Sequence, residues 1–238
     1  MSPAALRASM SVESRDAWRP GRFVAAALAM AFVGAVGIFA LAVWQSVLYA
    51  VVTDAIWEPP LSGARQQIVS TMALGAGTTM TAGIYLAYTN RSLSFLDVRV
   101  PSLRAVAWAV GGLLSLFALL QVISLAFAAF GVSTTQHSTT QAAQSEPSLL
   151  LPLVPLSLLV IGPGEELLYR NVVQKGLYDH APRWVAVLTA SVIFALVHIP
   201  AYSTGGTTEQ LVATLAVIFT LSIVLGTVYE RTENLVVP

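Results

Sequence analysis

From Phe23 to Val52 the chain runs for 30 residues without a charged side chain. About 20 apolar residues are enough to cross the hydrocarbon of a bilayer. This one run therefore decides the solvent in which the chain folds. Further apolar segments follow, and the sequence predicts six spans at approximately 23–53, 68–89, 105–130, 149–175, 184–201 and 210–229. Composition agrees, with 56% hydrophobic residues, 10% charged residues and a mean hydropathy of +0.74. A soluble domain carries roughly 25% charged residues and needs them to cover its core. The first run also exceeds the signal-peptide core of about 7 to 15 residues, so it reads as a retained helix. The expected fold class is all-α: a polytopic integral membrane helical bundle with about six spans present.

Charge gives the orientation. The twelve basic residues fall 4, 1, 3, 0, 3, 0, 1 across the successive connections. Arg7, Arg15, Arg19 and Arg22 precede the first span, whereas none separates the third from the fourth or the fifth from the sixth. Basic residues concentrate on the cytoplasmic side, so the expected location is the cell membrane, multi-pass, with a cytoplasmic N-terminus. Trp18, Trp57, Trp108 and Trp184 stand near span ends, where aromatic anchors belong, and Trp44 reads as a packing residue. Twelve acidic residues cancel the twelve basic ones, leaving no basic field to draw nucleic acid. The absence of cysteine removes disulfides, thiol nucleophiles and Cys-ligated zinc. The Ser/Thr/Gln-rich stretch 133–147 reads as a flexible loop outside the membrane.

Glu165, Glu166 and Arg170 lie in the second half of the fourth segment, towards its cytoplasmic end, and His198 ends the fifth. Ionisable groups inside a membrane bundle are costly and mark function. Gly162-Pro163-Gly164 stands just before the carboxylates and predicts a kink or a restart there. A restart would set both glutamates in a first turn, among free backbone amides. Glu166 and Arg170, four apart, can pair on one helix face. That leaves Glu165 without a counter-charge of its own and available as a general base. The same spacing also suits a structural Glu–Arg pair closing a bundle, and His198 equally suits a packing role. In straight helices, Glu165 and His198 would differ in depth by about 15 Å unless the fifth segment starts below the hydrocarbon edge, the helices tilt strongly, or the fourth segment kinks. His137 and His180 receive no role, and no His-Glu-x-x-His pattern is present.

At these residues the chain resembles the CPBP family of membrane proteins, which includes type II CAAX prenyl endopeptidases and bacteriocin-processing or immunity proteins. Glu165, Glu166 and Arg170 match its Glu-Glu-x-x-x-Arg motif, with Tyr169 in the usual aromatic place. Phe194 and His198 match its Phe-x-x-x-His motif, and Gly226 to Leu235 resembles the lead-in to its final core helix. The resemblance covers about 149–238 as the catalytic core, leaving 1–148 as a variable N-terminal transmembrane region. It implies that Glu165 activates water with help from His198, while Glu166 and Arg170 hold its position and charge. The implied substrate is a membrane-associated or lipidated protein or peptide in the bilayer, cleaved from the cytoplasmic side. The family label invites a divalent metal such as zinc, with Glu165 and His198 as ligands. Zinc usually takes four ligands, and a metal-independent glutamate mechanism is the equal alternative.

A third family motif, His-x-x-x-Asn or His-x-x-x-Asp, belongs on the next helix. Leu235-Val236-Val237-Pro238 resembles the start of that helix, and no residue of the sequence takes the third-motif roles. The expectation is a seventh span, truncated here, in a fuller gene product. Two other functions compete: a non-catalytic membrane scaffold or bacteriocin-immunity-type protein of the same fold, and a transporter using buried carboxylates. The transporter reading is the weaker, since no inverted repeat is evident.

Overall fold

A computed structural model describes residues 20–203 and 206–238. Arg7, Arg15, Trp18 and Arg19, on which part of the orientation rests, lie outside the described residues. The described chain is helical, with no strand. Its helices are α1 (Pro20–Ala55), α2 (Gly63–Tyr88), α3 (Leu103–Phe130), the short α4 (Ser138–Ser145), α5 (Pro147–Gln174), α6 (Arg183–Val197), the single turn α7 (Ile199–Tyr202) and α8 (Thr208–Thr232). Local chemistry sets several ends. The Ser102 hydroxyl accepts the Ala105 amide to open α3, and Gly131, at φ 65°, closes it in the left-handed region. A reciprocal Thr207–Gln210 capping box opens α8.

Among the described residues, four helices are long and apolar enough to cross a membrane: α1, α3, α5 and α8. This corrects the expected six. The second and fifth segments do fold as helices. However, α2 carries Gln66, Gln67, Ser70, Thr71, Thr78, Thr79 and Thr81 among its apolar residues, and α6 has only 15 residues. At 1.5 Å per residue α6 spans roughly 22 Å, short of the roughly 30 Å hydrocarbon.

The outside of the bundle is apolar and its inside is partly polar, as lipid solvent demands. Phe32 and Phe39 of α1, Phe117 and Leu125 of α3, and Leu158 and Leu159 of α5 face outward. The interior packs Met30, Tyr85, Leu168, Val172, Val173, Ile193 and Phe194 from α1, α2, α5 and α6. Without a hydrophobic drive between helices in lipid, close approach of small residues must supply the packing. At the α1–α2 crossing a Cβ on Gly77 would lie 2.8 Å from the Leu41 backbone nitrogen. Gly77→Val is therefore expected to part α1 from α2 and lower stability by about 1–3 kcal/mol, read as thermal unfolding in detergent micelles. An unchanged transition would show that the crossing contributes nothing.

Of the kink or restart expected at Gly162-Pro163-Gly164, the restart does not occur. Residues Ile161 to Glu166 keep right-handed helical angles throughout. The backbone instead widens to π-type turns over Ser157–Ile161 and Glu166–Gln174, on either side of Gly162–Glu165. A wider turn can absorb the missing proline amide and relieve its clash with the preceding carbonyl, which otherwise kinks a helix. Glu165 and Glu166 consequently sit inside a continuous helical run, not at a free N-terminus.

The stretch expected to be a loose loop takes a defined path across one end of the bundle. Thr135 donates its amide to the Thr214 hydroxyl at 2.9 Å, Gln210 bonds Ser133 at 2.8 Å, and Thr139 bonds Gln67 at 3.2 Å. These bonds fasten residues 133–139 to α8 and α2 as a cap.

Candidate active site

Three aromatic rings organise the site. Phe194 meets Tyr169 edge-on, with ring centroids 5.1 Å apart, and lies 4.5 Å from the His198 ring. On its face, the Arg170 guanidinium carbon stands 4.7 Å from the ring centre. A desolvated guanidinium over an aromatic face is attracted by the ring quadrupole, so Phe194 orients the cation and the imidazole together.

Of the four residues singled out in the sequence, the structure separates two pairs. Glu165 and His198 face a shared cavity, with Oε1 and Nε2 3.8 Å apart. That gap is too long for a direct hydrogen bond. His198 Nδ1 lies 2.7 Å from the Phe194 carbonyl. A carbonyl only accepts, so Nδ1 carries the hydrogen and Nε2 is the nitrogen turned to Glu165. Glu166 and Arg170 lie behind this pair, buried. Arg170 Nε donates to Glu166 at 3.2 Å and Nη1 donates to the Ser222 hydroxyl of α8 at 2.9 Å. The feared difference in depth vanishes because both groups are measured from the same hairpin. Glu165 lies nine residues before Gln174 and His198 fifteen after Arg183, roughly 14 Å and 22 Å. Helical turns through Lys175, Leu177 and Tyr178 make up most of the remainder.

The cavity holds about 370 Å³. Its walls come from Gly37 to Gln45 of α1, Gln67 to Thr78 of α2, Leu153 to Tyr169 of α5, the His198 corner and the cap residues His137 and Thr139. It extends from Glu165 towards the cap. In the other direction α5 is sealed: Leu168, Arg170, Asn171, Val172, Val173 and Gln174 are all buried. At that end, Asn171 donates to the Tyr229 hydroxyl at 2.9 Å and Gln174 donates to the Gly226 carbonyl at 2.8 Å. Asp97, on the connection from α2 to α3, accepts from Tyr229 and from Lys175, each at 2.7 Å. A separate cavity of about 250 Å³ lies at this end, lined by Arg91, Asp97, Lys175, Asp179 and Tyr229, and the buried side chains of α5 stand between it and Glu165.

Sequence reasoning passed over Ser222, Asp97, Asn171 and Gln174, and gave His137 no role. Ser222 and Asn171 left only a weak signal, as isolated polar residues in apolar surroundings. Asp97 left none, because a lone acid in a polar connection resembles any surface residue. His180 is exposed on the hairpin after α5.

The donor set is a poor fit for zinc. Glu166 is taken by Arg170, and His198 offers one nitrogen. Among the described residues, no group of three His, Cys, Asp or Glu side chains is arranged to hold a metal. Glu165 and His198 alone fall short of the three protein ligands of catalytic zinc. What the pair can do is hold a water between a carboxylate and an imidazole.

Residues 147–238 match the family model for type II CAAX prenyl endopeptidase Rce1-like proteins, the family that the motifs resemble. No curated protein and no solved structure matches the chain.

Proposed function

Residues 147–238 carry a type II CAAX prenyl endopeptidase Rce1-like region, and from this we propose that the chain is an intramembrane endopeptidase working by glutamate-activated water. The observation that carries the reading is Glu165 Oε1 standing 3.8 Å from His198 Nε2 at the wall of the cavity. Glu165 takes a proton from water as the oxygen attacks a peptide carbonyl, then passes it to the leaving amine. His198 Nε2 accepts a hydrogen bond from the water through its lone pair and holds the oxygen in place for attack. Glu166 and Arg170 neutralise each other behind the site, leaving Glu165 the free carboxylate. In this reading 149–238 supplies the chemistry, and 1–148 supplies the walls through α1, α2 and the cap. The substrate is a membrane-associated protein or peptide, with prenylated CAAX-type peptides the first to try.

The buried Glu166–Arg170–Ser222 bonding would serve a non-catalytic scaffold equally well. Cleavage of a quenched prenylated peptide by the reconstituted protein, beside an unprenylated control, separates the two readings. Turnover undiminished by a chelator is expected, since the donor set does not suit a metal; loss of turnover on chelation would overturn the metal-free mechanism. Absence of cleavage with every peptide would leave the scaffold. For orientation, single cysteines in this cysteine-free chain are expected to be cytoplasmic near residues 95 and 178 and external near 60, 140 and 205, the last of which lies outside the described residues.

A further inference from the structure

The cavity that holds Glu165 and His198 has a second imidazole in its wall, that of His137. The two imidazoles share a neighbour. Tyr202 of α7 meets the His137 ring edge-on, with centroids 5.0 Å apart, and its own centroid lies 6.4 Å from that of His198. His137 stands just before α4, and its carbonyl accepts the Thr140 and Gln141 amides at 2.9 and 3.1 Å. Its Nδ1 accepts the Thr139 amide at 3.0 Å, as the side chain of a helix N-cap does. Burial, with the His198 charge second, holds the ring below the usual histidine range and so keeps it neutral. A neutral imidazole that accepts at Nδ1 carries its hydrogen on Nε2. Among the described residues no acceptor is bonded to that donor.

We propose, on the peptidase reading above, that His137 is a substrate-contacting residue, its Nε2–H donating to a peptide carbonyl of the segment bound in this cavity. The donor is held in place before any ligand arrives, because Thr135 is bonded to Thr214 of α8 and Thr139 to Gln67 of α2. Leu41, Leu74, Leu153 and Val197 make much of the surrounding wall apolar. A polar donor in such surroundings gains most from an acceptor that the ligand brings, and an uncharged donor suits an uncharged carbonyl. The region before residue 149 then supplies a specific bond to the substrate as well as walls.

Two variants separate this contact from the capping of α4. His137→Asn puts an amide oxygen where Nδ1 accepts from Thr139 and leaves nothing at the position of Nε2. His137→Gln does the reverse, since its amide N–H reaches the Nε2 position and the cap acceptor is lost. His137→Asn is expected to lower kcat/KM for the prenylated peptide about tenfold, the worth of one hydrogen bond, mainly through KM and with thermal unfolding unchanged. His137→Gln should keep most of the turnover and unfold at a lower temperature. The opposite ranking, or equal activity of the two variants, would show that His137 serves α4 alone and would overturn the proposal. Equilibrium binding of the same peptide to proteins that also carry Glu165→Gln gives a readout without turnover, and there His137→Asn should weaken affinity about tenfold. Binding that weakens in this way, with no cleavage by the parent, would remove the peptidase reading and keep the contact. Cleavage by the parent with binding untouched by His137→Asn would overturn the contact alone, and a parent that neither binds nor cleaves the peptide would end both.

Discussion

Replacing Glu165 by glutamine is expected to lower peptide cleavage by about 10²–10⁴-fold, the usual contribution of a general base, with the thermal unfolding of the protein unchanged. Glutamine keeps the shape of the side chain and loses only the ability to take a proton from water. The partner of Glu165 is His198 at 3.8 Å across the cavity wall, and the tight charge pairing belongs to Glu166 and Arg170. Little structure therefore depends on the Glu165 charge. The scaffold reading makes the opposite forecast: no cleavage by either form. Kinetics and unfolding measured on the same preparations decide between them, and a variant that cleaves as fast as the parent would remove Glu165 from the mechanism.

Arg170→Leu is expected to destabilise the protein by about 3–5 kcal/mol, the cost of leaving a buried ion-pair partner uncompensated. The side chain is fully buried, bonds Glu166 and Ser222, and lies over the Phe194 ring. Its loss leaves the Glu166 carboxylate buried without a counter-charge. Adding Glu166→Gln should restore much of the stability, because the orphaned charge is then gone. Arg170→Lys should not substitute, since one ammonium cannot lie flat on Phe194 and reach both oxygens. Unfolding in detergent across the double-mutant cycle reads the coupling directly. Simple additivity of the two substitutions would show that the pair is not the linchpin described here.

Helix content and lipid exposure were legible in the sequence because both depend on local composition. The uncharged run in α1 and the motif spacings in α5 and α6 needed no tertiary knowledge. The six-span count erred on α2 and α6, where burial against neighbours allows a helix too polar or too short to span alone. Gly162-Pro163-Gly164 was read as a possible restart for a similar reason. Local rules give the clash at Pro163, but whether it resolves by kinking or by widening into π-type turns depends on what packs around it.

The sequence by itself determined the class of fold, the four ionisable residues and the end of the bundle that carries the basic loops, since each follows from residue type and spacing along one helix. The four-residue spacing already offered the Glu166–Arg170 pair, and the tertiary structure decided what meets each member of the set. α8 brings Ser222 to a second nitrogen of Arg170, and the hairpin after α5 sets His198 at the depth of Glu165. The tertiary structure also decided what separates Glu165 from the basic end. Asp97, Asn171, Gln174 and Tyr229 come from distant parts of the chain, yet a network of hydrogen bonds ties them together at one end of the bundle. A network made by such distant contacts has no local signature from which a sequence could announce it.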